Sequence, residues 1–231
     1  MYNTNKNYFS NSLLCWYDSN SRDLPWRKTN DLYKIWLSEV MLQQTRVDTV
    51  IPYYLKWLEK YKTIKSVAEA EGQKLLKLWE GLGYYSRCRN FHKACKIILN
   101  DFIGEIPLDY QKFRSLPGVG DYTASAVFSI GFNKTYPALD VNVRRVMARV
   151  LRIKNITKRN DKRIYNTLIK WMDKERPGDI NQALMDLANK ICRFNHAECS
   201  ICPIGEICMA NKMSTPESYP CLLYTSPSPR D

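Results

Sequence analysis

Apolar residues recur every three or four positions along most of this chain, which is the period of an α-helix with one buried face. In the segment 140–153 the stripe consists of Val143, Val146, Met147, Val150 and Leu151. The same period predicts two helices in 32–61 that meet near Pro52, two short helices ended by glycine in 66–83, and single helices in 87–102, 163–176 and 179–192. Neither β alternation nor an internal repeat stands out, so we predict an all-α fold.

The end of the chain, residues 213–231, lacks this period and is rich in Ser and Pro, which predicts a disordered tail. Its last segment, CLLYTSPSPRD (221–231), resembles a translated adapter from sequencing-library preparation. We therefore expect the natural reading frame to be interrupted near residue 220, and we exclude 221–231 from the fold. The alternative is a natural disordered tail.

Composition and charge narrow the class of protein. The chain has 231 residues, of which 45% are hydrophobic, enough for one large domain or two small ones. Its net charge of +12 suits a polyanionic partner, although a basic protein without such a partner has the same balance. The N-terminus lacks the apolar core of a signal peptide, and no apolar run approaches the roughly 20 residues of a membrane span. We expect a cytosolic protein, in which structural disulfides are disfavoured.

Four of the eight cysteines fall in the window CRFNHAECSICPIGEIC, Cys192 to Cys208, with the spacing C-x6-C-x2-C-x5-C. Clustered cysteines in a cytosolic protein more often bind metal than form disulfides. Zinc sites usually pair two CxxC units, whereas one CxxC followed by Cys-Pro is similar to ferredoxin-like iron–sulfur ligation. The window alone leaves zinc and iron–sulfur open. The scattered Cys15, Cys88 and Cys95 are predicted to be buried thiols.

The segment LPGVGDYTASAVFSIGF (116–132) is a glycine-rich turn followed by a helix. Gly118 and Gly120 permit positive φ and close backbone approach, and Asp121 or its neighbour is a candidate helix cap. A turn of this kind directs backbone N–H groups and the positive end of the helix towards one point. It therefore predicts a helix-hairpin-helix that binds a DNA phosphate, with a plain interhelical turn as the alternative.

Two carboxylates are candidates for chemistry. Glu39 shares a helical stripe with Ile35 and Leu42, and ionisation on an apolar stripe is costly, so its pKa should rise and make it a proton donor. The alternative is a partly exposed Glu at a helix edge. Asp140 precedes the Val143 stripe, where a helix N-cap would keep it ionised. A protonated Glu beside an ionised Asp is the pair required for cleavage through a cationic sugar.

Five segments in this order, SEVMLQQT, GLGYY, LPGVG, LDVNV and the cysteine window, resemble the adenine DNA glycosylases, from about Trp16 to Met209. That family is part of the endonuclease III branch of the helix-hairpin-helix glycosylases. The resemblance implies a six-helix barrel domain with the helix-hairpin-helix at 23–136 and a discontinuous iron–sulfur domain at 1–22 and 137–212. It also implies a [4Fe–4S] cluster held by Cys192, Cys199, Cys202 and Cys208.

The resemblance implies catalytic roles as well. Glu39 becomes the general acid that protonates adenine N7, and Asp140 the carboxylate that stabilises the oxocarbenium ion. Tyr122 stands where the bifunctional endonuclease III enzymes place a nucleophilic Lys, and a Tyr forms no Schiff base. Its hydroxyl matches the family's hydrogen-bond partner of the catalytic Asp. Asn142 matches an amide that helps to hold water, and Arg27 a residue that lines the adenine pocket.

Binding of duplex DNA is implied by a further set of residues. Tyr84 resembles the wedge that the family inserts beside the lesion base, with Leu82 and Gln44 nearby. The hairpin residues expected against the backbone are Leu116, Gly118, Val119 and Gly120. Arg87, Arg89 and Lys93 follow the wedge and are candidates for contacts with phosphates.

The resemblance therefore predicts a monofunctional hydrolase, an adenine glycosylase acting on double-stranded DNA with A:8-oxoguanine or A:G mispairs. We expect a monomer in the cytoplasm of a bacterial-type cell, associated with the nucleoid. Two alternatives remain: an endonuclease III-like lyase on oxidised pyrimidines, which Tyr122 disfavours, and a non-catalytic iron–sulfur module that binds DNA.

Two departures from the family pattern affect these expectations. Val141 stands where the family usually has Gly, so the local backbone must accept a β-branched residue. Full-length relatives continue into a C-terminal domain that helps to recognise 8-oxoguanine, and the sequence does not contain it. We therefore expect a weaker preference for 8-oxoguanine over guanine.

Overall fold

The computed structural model describes residues 2–221, with side chains from residue 5 onward, and this part of the chain is helical with no β-strand. The α-helices are α1 Tyr2–Asn20, α2 Leu32–Leu42, α3 Val47–Lys60, α4 Ile64–Ala68, α5 Gly72–Trp79, α6 Tyr85–Asp101, α7 Tyr110–Arg114, α8 Asp121–Ile130, α9 Val141–Leu151, α10 Lys158–Trp171, α11 Pro177–Lys190 and α12 Met209–Lys212. Short 3₁₀ segments occupy Pro25–Arg27, Cys199–Ile201, Gly205–Ile207 and Pro216–Ser218. The predicted all-α class is confirmed.

The chain forms two compact units, one central and one terminal in sequence. The central unit, Asp23–Ala138, contains α2 to α8. The terminal unit consists of the N-terminal segment up to Arg22 and the chain from Leu139 onward, and it contains α1 and α9 to α12. The division after residue 138 lies two residues beyond the boundary expected at 136.

The core of the central unit is built on aromatic side chains. Trp36, Trp57 and Trp79 are fully buried, and Phe91 lies 4.4 Å from Trp36 and 6.1 Å from Trp57 between ring centroids. Burial of one such side chain contributes about 1.5–3 kcal/mol, and edge-to-face pairs add further stability. Helix α2 is buried along nearly its whole length, from Tyr33 to Met41, so it is the central element of this unit.

The break within 32–61 lies at residues 43–46 and not near Pro52, as the sequence had predicted. Gln44 has a positive φ of 57°, which ends α2, whereas Pro52 lies inside α3. A proline in a helix removes one N–H and crowds the preceding turn, but burial of Val50, Tyr54 and Trp57 stabilises the helix around it.

The core of the terminal unit includes a helix that the hydrophobic pattern did not predict. Phe9 and Leu13 of α1 are fully buried, and the ring of Phe9 lies 5.3 Å from that of Trp171 on α10. The helix is rich in Asn and Ser, which are weak helix formers, so tertiary packing determines it.

The first part of the predicted tail has structure. The Tyr219 carbonyl accepts a hydrogen bond from Arg149 Nε at 2.9 Å, and Glu217 Oε1 accepts one from the Ala197 amide at 2.9 Å. The Cys221 amide donates to the Lys154 carbonyl at 2.6 Å. The prediction of disorder is therefore wrong for 213–221, because these contacts fix the backbone; residues 222–231 lie outside the described part. No helix in 2–221 has the length and apolar character needed to cross a membrane.

Candidate functional site

Asp140 caps the N-terminus of α9, as the sequence predicted. Its Oδ1 accepts a hydrogen bond from the Val143 amide at 2.7 Å, and its Oδ2 accepts one from Asn142 Nδ2 at 3.0 Å. Both contacts place N–H donors against the carboxyl oxygens at the positive end of the helix. The side chain is partly exposed, so its carboxyl group lies at the surface of the terminal unit.

Val141 begins α9 without backbone strain. It is 74% exposed and is not among the residues with positive φ. The structure therefore accepts a β-branched residue directly after Asp140.

Asn142 lies between Asp140 and a half-buried arginine, Arg145. Its Oδ1 accepts a hydrogen bond from Arg145 Nη1 at 2.9 Å, while its Nδ2 binds Asp140. Arg145 also donates to the carbonyls of Cys192 at 3.1 Å and Ala188 at 3.0 Å. Burial lowers the pKa of Arg145, although a guanidinium remains charged. One chain of hydrogen bonds thus connects the Asp140 carboxylate with the first cysteine of the window.

All four cysteines of the window line one cavity in the terminal unit. The cavity contains about 350 Å³ of space outside protein atoms, part of it open to solvent. Its lining includes Val146, Val150, Leu187, Ile191 and Ile204 beside the four thiols. All four are free thiols, and burial is the main cause that raises the pKa of Cys202, to about 12.

The four thiols form one set of possible ligands around this cavity. Among the described residues, no group of three or more His, Cys, Asp or Glu side chains is arranged to hold one metal ion. In a four-iron cluster each thiolate binds a different iron, so the ligands surround a cage and need not converge on one point. Four cysteines around one apolar cavity fit this donor set.

Arg149 organises the loop that follows Cys192. It is 1% exposed, and its guanidinium donates to Cys192 Sγ at 3.3 Å and to the carbonyls of Arg193 and Phe194, both at 2.8 Å. A cation next to a thiol stabilises the thiolate that a metal requires. The sequence analysis did not identify Arg145 or Arg149 as functional. The one sequence feature that could have indicated them is the position of a charged residue on or beside the apolar stripe of α9.

Glu39 is 5% exposed on α2, among residues that are buried on both sides of it in sequence. The sequence alternative of a partly exposed Glu at a helix edge is therefore wrong. Ionisation of a carboxyl group in such surroundings is costly unless other groups compensate the charge. Glu39 is thus a carboxyl group shielded from bulk water.

Two loops of the central unit carry the residues expected to enter DNA. Gln44 is exposed in the α2–α3 turn, and Tyr84 is 56% exposed with φ 48° at the start of α6. Leu82, by contrast, is 4% exposed, so its side chain packs in the core. Outward display of an aromatic ring from a strained left-handed backbone fits a surface role for Tyr84.

Arg87 does not have the exposed position that contact with phosphates would require, so that expectation is wrong. It is 8% exposed, and its guanidinium donates to Thr45 Oγ1 and to five main-chain carbonyls. The guanidinium group therefore lies inside the protein and not at its surface. Arg89 and Lys93 of the same helix are exposed and remain candidates.

The hairpin before α8 has the geometry of an open helix N-terminus. Gly118 has φ +77°, whereas Gly120 has φ −93° and is the N-cap, so positive φ is required only at the first glycine. No side chain caps α8, and nothing lies within 4 Å of the space where a Gly120 side chain would stand. Asp121 does not cap the helix; it pairs with Arg114 instead. Uncapped N–H groups facing open space suit an anion.

The other hairpin residues lie behind this N-terminus. Leu116 and Val119 are buried in the central core, and the Val119 amide donates to the Leu116 carbonyl at 3.0 Å. Their side chains position the turn and do not face solvent. Tyr122 is half-buried on the first turn of α8, and Arg27 is half-buried at the end of the Pro25–Arg27 segment.

The cysteines outside the window differ from one another. Cys88 and Cys95 are buried, and burial raises the pKa of Cys88 to about 12. Cys15 is exposed, because it lies on the outer face of α1, so its predicted burial is wrong.

Comparison with known proteins gives a family for this arrangement. The sequence model of the family described as HhH-GPD superfamily base excision DNA repair protein matches residues 37–188. The adenine DNA glycosylase of Buchnera aphidicola subsp. Acyrthosiphon pisum is 38% identical, with 93% of this chain and 62% of that protein covered. The adenine DNA glycosylase of Schizosaccharomyces pombe is 40% identical, with 87% and 49% covered. The chain thus spans 62% and 49% of the length of these two relatives.

Solved structures share the fold. A thermostable thymine-DNA glycosylase has a TM-score of 0.85 and 27% identity, with 91% of this chain and 98% of that chain covered. A trapped endonuclease III–DNA covalent intermediate has a TM-score of 0.76 at 22% identity, with 93% and 98% covered. The second likeness concerns the fold alone.

Proposed function

This chain belongs to the HhH-GPD superfamily of base excision DNA repair proteins, and we propose that it is a monofunctional DNA glycosylase that removes adenine mispaired with 8-oxoguanine or guanine. The observation that carries the proposal is its similarity to proteins named adenine DNA glycosylase, which extends over about nine tenths of the chain. Glu39 and Asp140 support it, because they supply one carboxyl group shielded from water and one that is partly exposed at a helix N-terminus.

The two carboxyl groups have different roles in the proposed reaction. Glu39, shielded on α2, donates a proton to N7 of adenine, which turns the base into a neutral leaving group. As the N-glycosidic bond breaks, the sugar becomes an oxocarbenium ion, and the charged Asp140 stabilises it. Water then adds to the anomeric carbon of the oxocarbenium ion and releases a proton to solvent, with the Asn142 amide as a candidate group to hold the water.

Tyr122 supports hydrolysis without lyase chemistry. Elimination after base removal requires a Schiff base between an amine and the sugar aldehyde, and a phenol cannot form one. Tyr122 is a candidate hydrogen-bond partner of the catalytic carboxylate, and Arg27 a candidate for the adenine pocket.

Cys192, Cys199, Cys202 and Cys208 are the proposed ligands of a [4Fe–4S] cluster, which would act structurally by joining four separated points of the chain. The apolar cavity that they line supports this assignment, as does the Arg149 cation at Cys192 Sγ. These residues hold the loop after α11, while Arg145 connects the same loop with Asn142.

Duplex DNA is the proposed partner. The uncapped N-terminus of α8 and the open space at Gly120 suit one backbone phosphate, which would be bound without reading of the sequence. Tyr84 is the proposed wedge, and its ring would replace stacking lost when adenine leaves the duplex. Gln44 is exposed in the neighbouring loop and would accompany it.

Replacement of Glu39 by Gln tests the proposal. The Glu39→Gln protein should bind an A:8-oxoguanine duplex but release adenine at least about 100-fold more slowly in single turnover, because an amide is no general acid. Glu69→Gln, at an exposed position of the same unit, is the matched control and should retain the rate.

Other outcomes would favour the alternatives. Adenine release at an unchanged rate by Glu39→Gln would exclude this residue as the acid. Borohydride trapping of a covalent adduct would favour a lyase. Tight binding by the unaltered protein without release of any base would favour a non-catalytic module.

A further inference from the structure

Arg87 joins two stretches of the central unit that are far apart in sequence, 40–45 and 82–83. Its Nη1 lies 3.1 Å from the Val40 carbonyl, 2.7 Å from that of Met41 and 2.6 Å from that of Gln43. Its Nη2 lies 3.1 Å from Thr45 Oγ1 and from the carbonyls of Leu82 and Gly83. One side chain thus bonds to the end of α2, to the α2–α3 turn and to the loop before α6.

The first set of contacts completes the C-terminus of α2. The last carbonyls of a helix have no partner within it, and a cation there interacts favourably with the helix dipole. Val40 and Met41 directly follow Glu39, so Arg87 fixes the end of the helix that carries the proposed general acid. Gln43 and Thr45 flank the exposed Gln44, so the same guanidinium fixes that turn.

The second set of contacts fixes the loop of the proposed wedge. The Leu82 and Gly83 carbonyls that Arg87 binds immediately precede Tyr84. The Arg87 Cζ also lies 5.3 Å from the centre of the Tyr84 ring and 5.5 Å from that of Trp79, distances typical of cation–π contacts. Tyr84 is therefore held at its backbone and its ring, although more than half of it is exposed.

We propose that Arg87 is a positioning residue that keeps the Gln44 turn and the Tyr84 loop at a fixed separation and ties both to the helix of Glu39. Its planar fork is suited to this, because the N–H groups on Nη1 and Nη2 lie in one rigid plane and reach acceptors on opposite sides. Insertion of the wedge and presentation of the acid then depend on the same side chain. The inference rests on the proposed function, since it assigns Tyr84 and Gln44 to the DNA.

Part of the loop has other supports, so loss of Arg87 need not unfold it. The Tyr53 hydroxyl donates to the Glu80 carbonyl at 2.9 Å, and Trp79 Nε1 donates to the Gly83 carbonyl at 3.1 Å. Neither contact reaches the α2–α3 turn. Arg87 alone among these three side chains bonds to both loops in the described contacts.

The decisive variant is Arg87→Lys, which keeps the charge but replaces the fork by one ammonium group. Two readouts are measured on an A:8-oxoguanine duplex: the single-turnover rate of adenine release, and the fluorescence of 2-aminopurine placed beside the base opposite adenine. Fluorescence is recorded in the Glu39→Gln background, so that adenine stays in place. Ile98→Ala, a fully buried position on the same helix, controls for lost stability.

We expect Arg87→Lys to slow adenine release about 100-fold, since misplacement of reacting groups by about 1 Å has effects of this size. It should also reduce the 2-aminopurine signal, as Tyr84→Ala should. The double variant Arg87→Lys, Tyr84→Ala should be slower than Tyr84→Ala by much less than the factor by which Arg87→Lys alone slows the unaltered protein, because the effect that Arg87 exerts through the wedge is already lost. Ile98→Ala should lower the melting temperature and leave the fluorescence signal unchanged.

Two results would overturn the inference. One is a double variant whose loss of rate equals the product of the losses in Arg87→Lys and Tyr84→Ala. The other is an unchanged 2-aminopurine signal in Arg87→Lys. If the unaltered protein released no adenine, the proposed function would fail first, and the fluorescence experiment would still report whether Arg87 controls insertion of Tyr84.

Discussion

Asn142 connects the Asp140 carboxylate with Arg145 through two hydrogen bonds. Its amide nitrogen binds the Asp140 carboxylate and its oxygen accepts from Arg145, so it fixes the orientation of the acid from the side away from the helix amides. Val141, between Asp140 and Asn142, is 74% exposed. Neighbouring positions on one turn of α9 therefore differ sharply in expected effect.

Replacement of Asn142 by Ala should slow adenine release about tenfold, because it removes one hydrogen bond to a charged acceptor. Single-turnover kinetics measure the change. The control is Val141→Gly, which should leave the rate within about threefold and reduce the free energy of unfolding by about 0.5–1 kcal/mol, since glycine lowers helix stability. A rate gain of tenfold or more in Val141→Gly would mean that the β-branched residue impairs catalysis.

At the scale of the element, the hairpin before α8 divides two tasks between its glycines. Gly118 is required by the fold: its φ is +77°, and an added Cβ would stand 2.9 Å from the Asn90 Cβ. Gly120 has an ordinary φ and open space in front of it. From the sequence, the same conformational role was predicted for both glycines. Their surroundings indicate that Gly118 is needed for stability, whereas Gly120 leaves room for an anion.

The variants Gly118→Ala and Gly120→Ala should therefore separate stability from binding. Gly118→Ala should lower the free energy of unfolding by about 1–3 kcal/mol, measured by denaturant titration. Gly120→Ala should fold normally but bind duplex DNA more weakly, because its methyl group occupies the proposed position of the phosphate. Equal DNA affinities for Gly120→Ala and the unaltered protein would argue against a phosphate at this helix.

At the scale of the whole molecule, the excess of 35 basic over 23 acidic residues gives the chain a charge of +12. Some of these cations are used internally, since Arg87, Arg145 and Arg149 bind carbonyls and a thiol within their own units. The net charge alone thus overstates the surface available to DNA. The exposed Arg89 and Lys93 are among those left to meet it.

Binding to duplex DNA should weaken steeply with salt, because cations that neutralise phosphates release counterions. The dissociation constant, measured by fluorescence anisotropy at several KCl concentrations, should give a log–log slope of about 0.9 for each phosphate contacted. Mispaired and fully paired duplexes should give similar slopes, since their backbones are the same. A dissociation constant independent of salt would contradict a backbone-based interface.

The hydrophobic period determined the class of the fold and most of its helices, because burial of a repeating apolar face is a local property of sequence. Glycine spacing similarly located the turn before α8, and the cysteine window located one cavity. The four thiols line that cavity, while their cofactor and the roles of Glu39 and Asp140 stay predictions. These features are encoded within short segments.

Only the tertiary structure decided what depends on distant contacts. Helix α1 forms because Phe9 and Leu13 pack against the terminal unit, and residues 213–221 are ordered because Arg149 and Ala197 bind them. Arg87 illustrates the limit most clearly. In sequence it belongs to a basic helix start, yet its partners lie 42 to 47 residues earlier as well as next to it. The sequence shows that a side chain is charged. Whether that charge binds groups inside the protein or faces solvent depends on which carbonyl groups the tertiary structure places next to it.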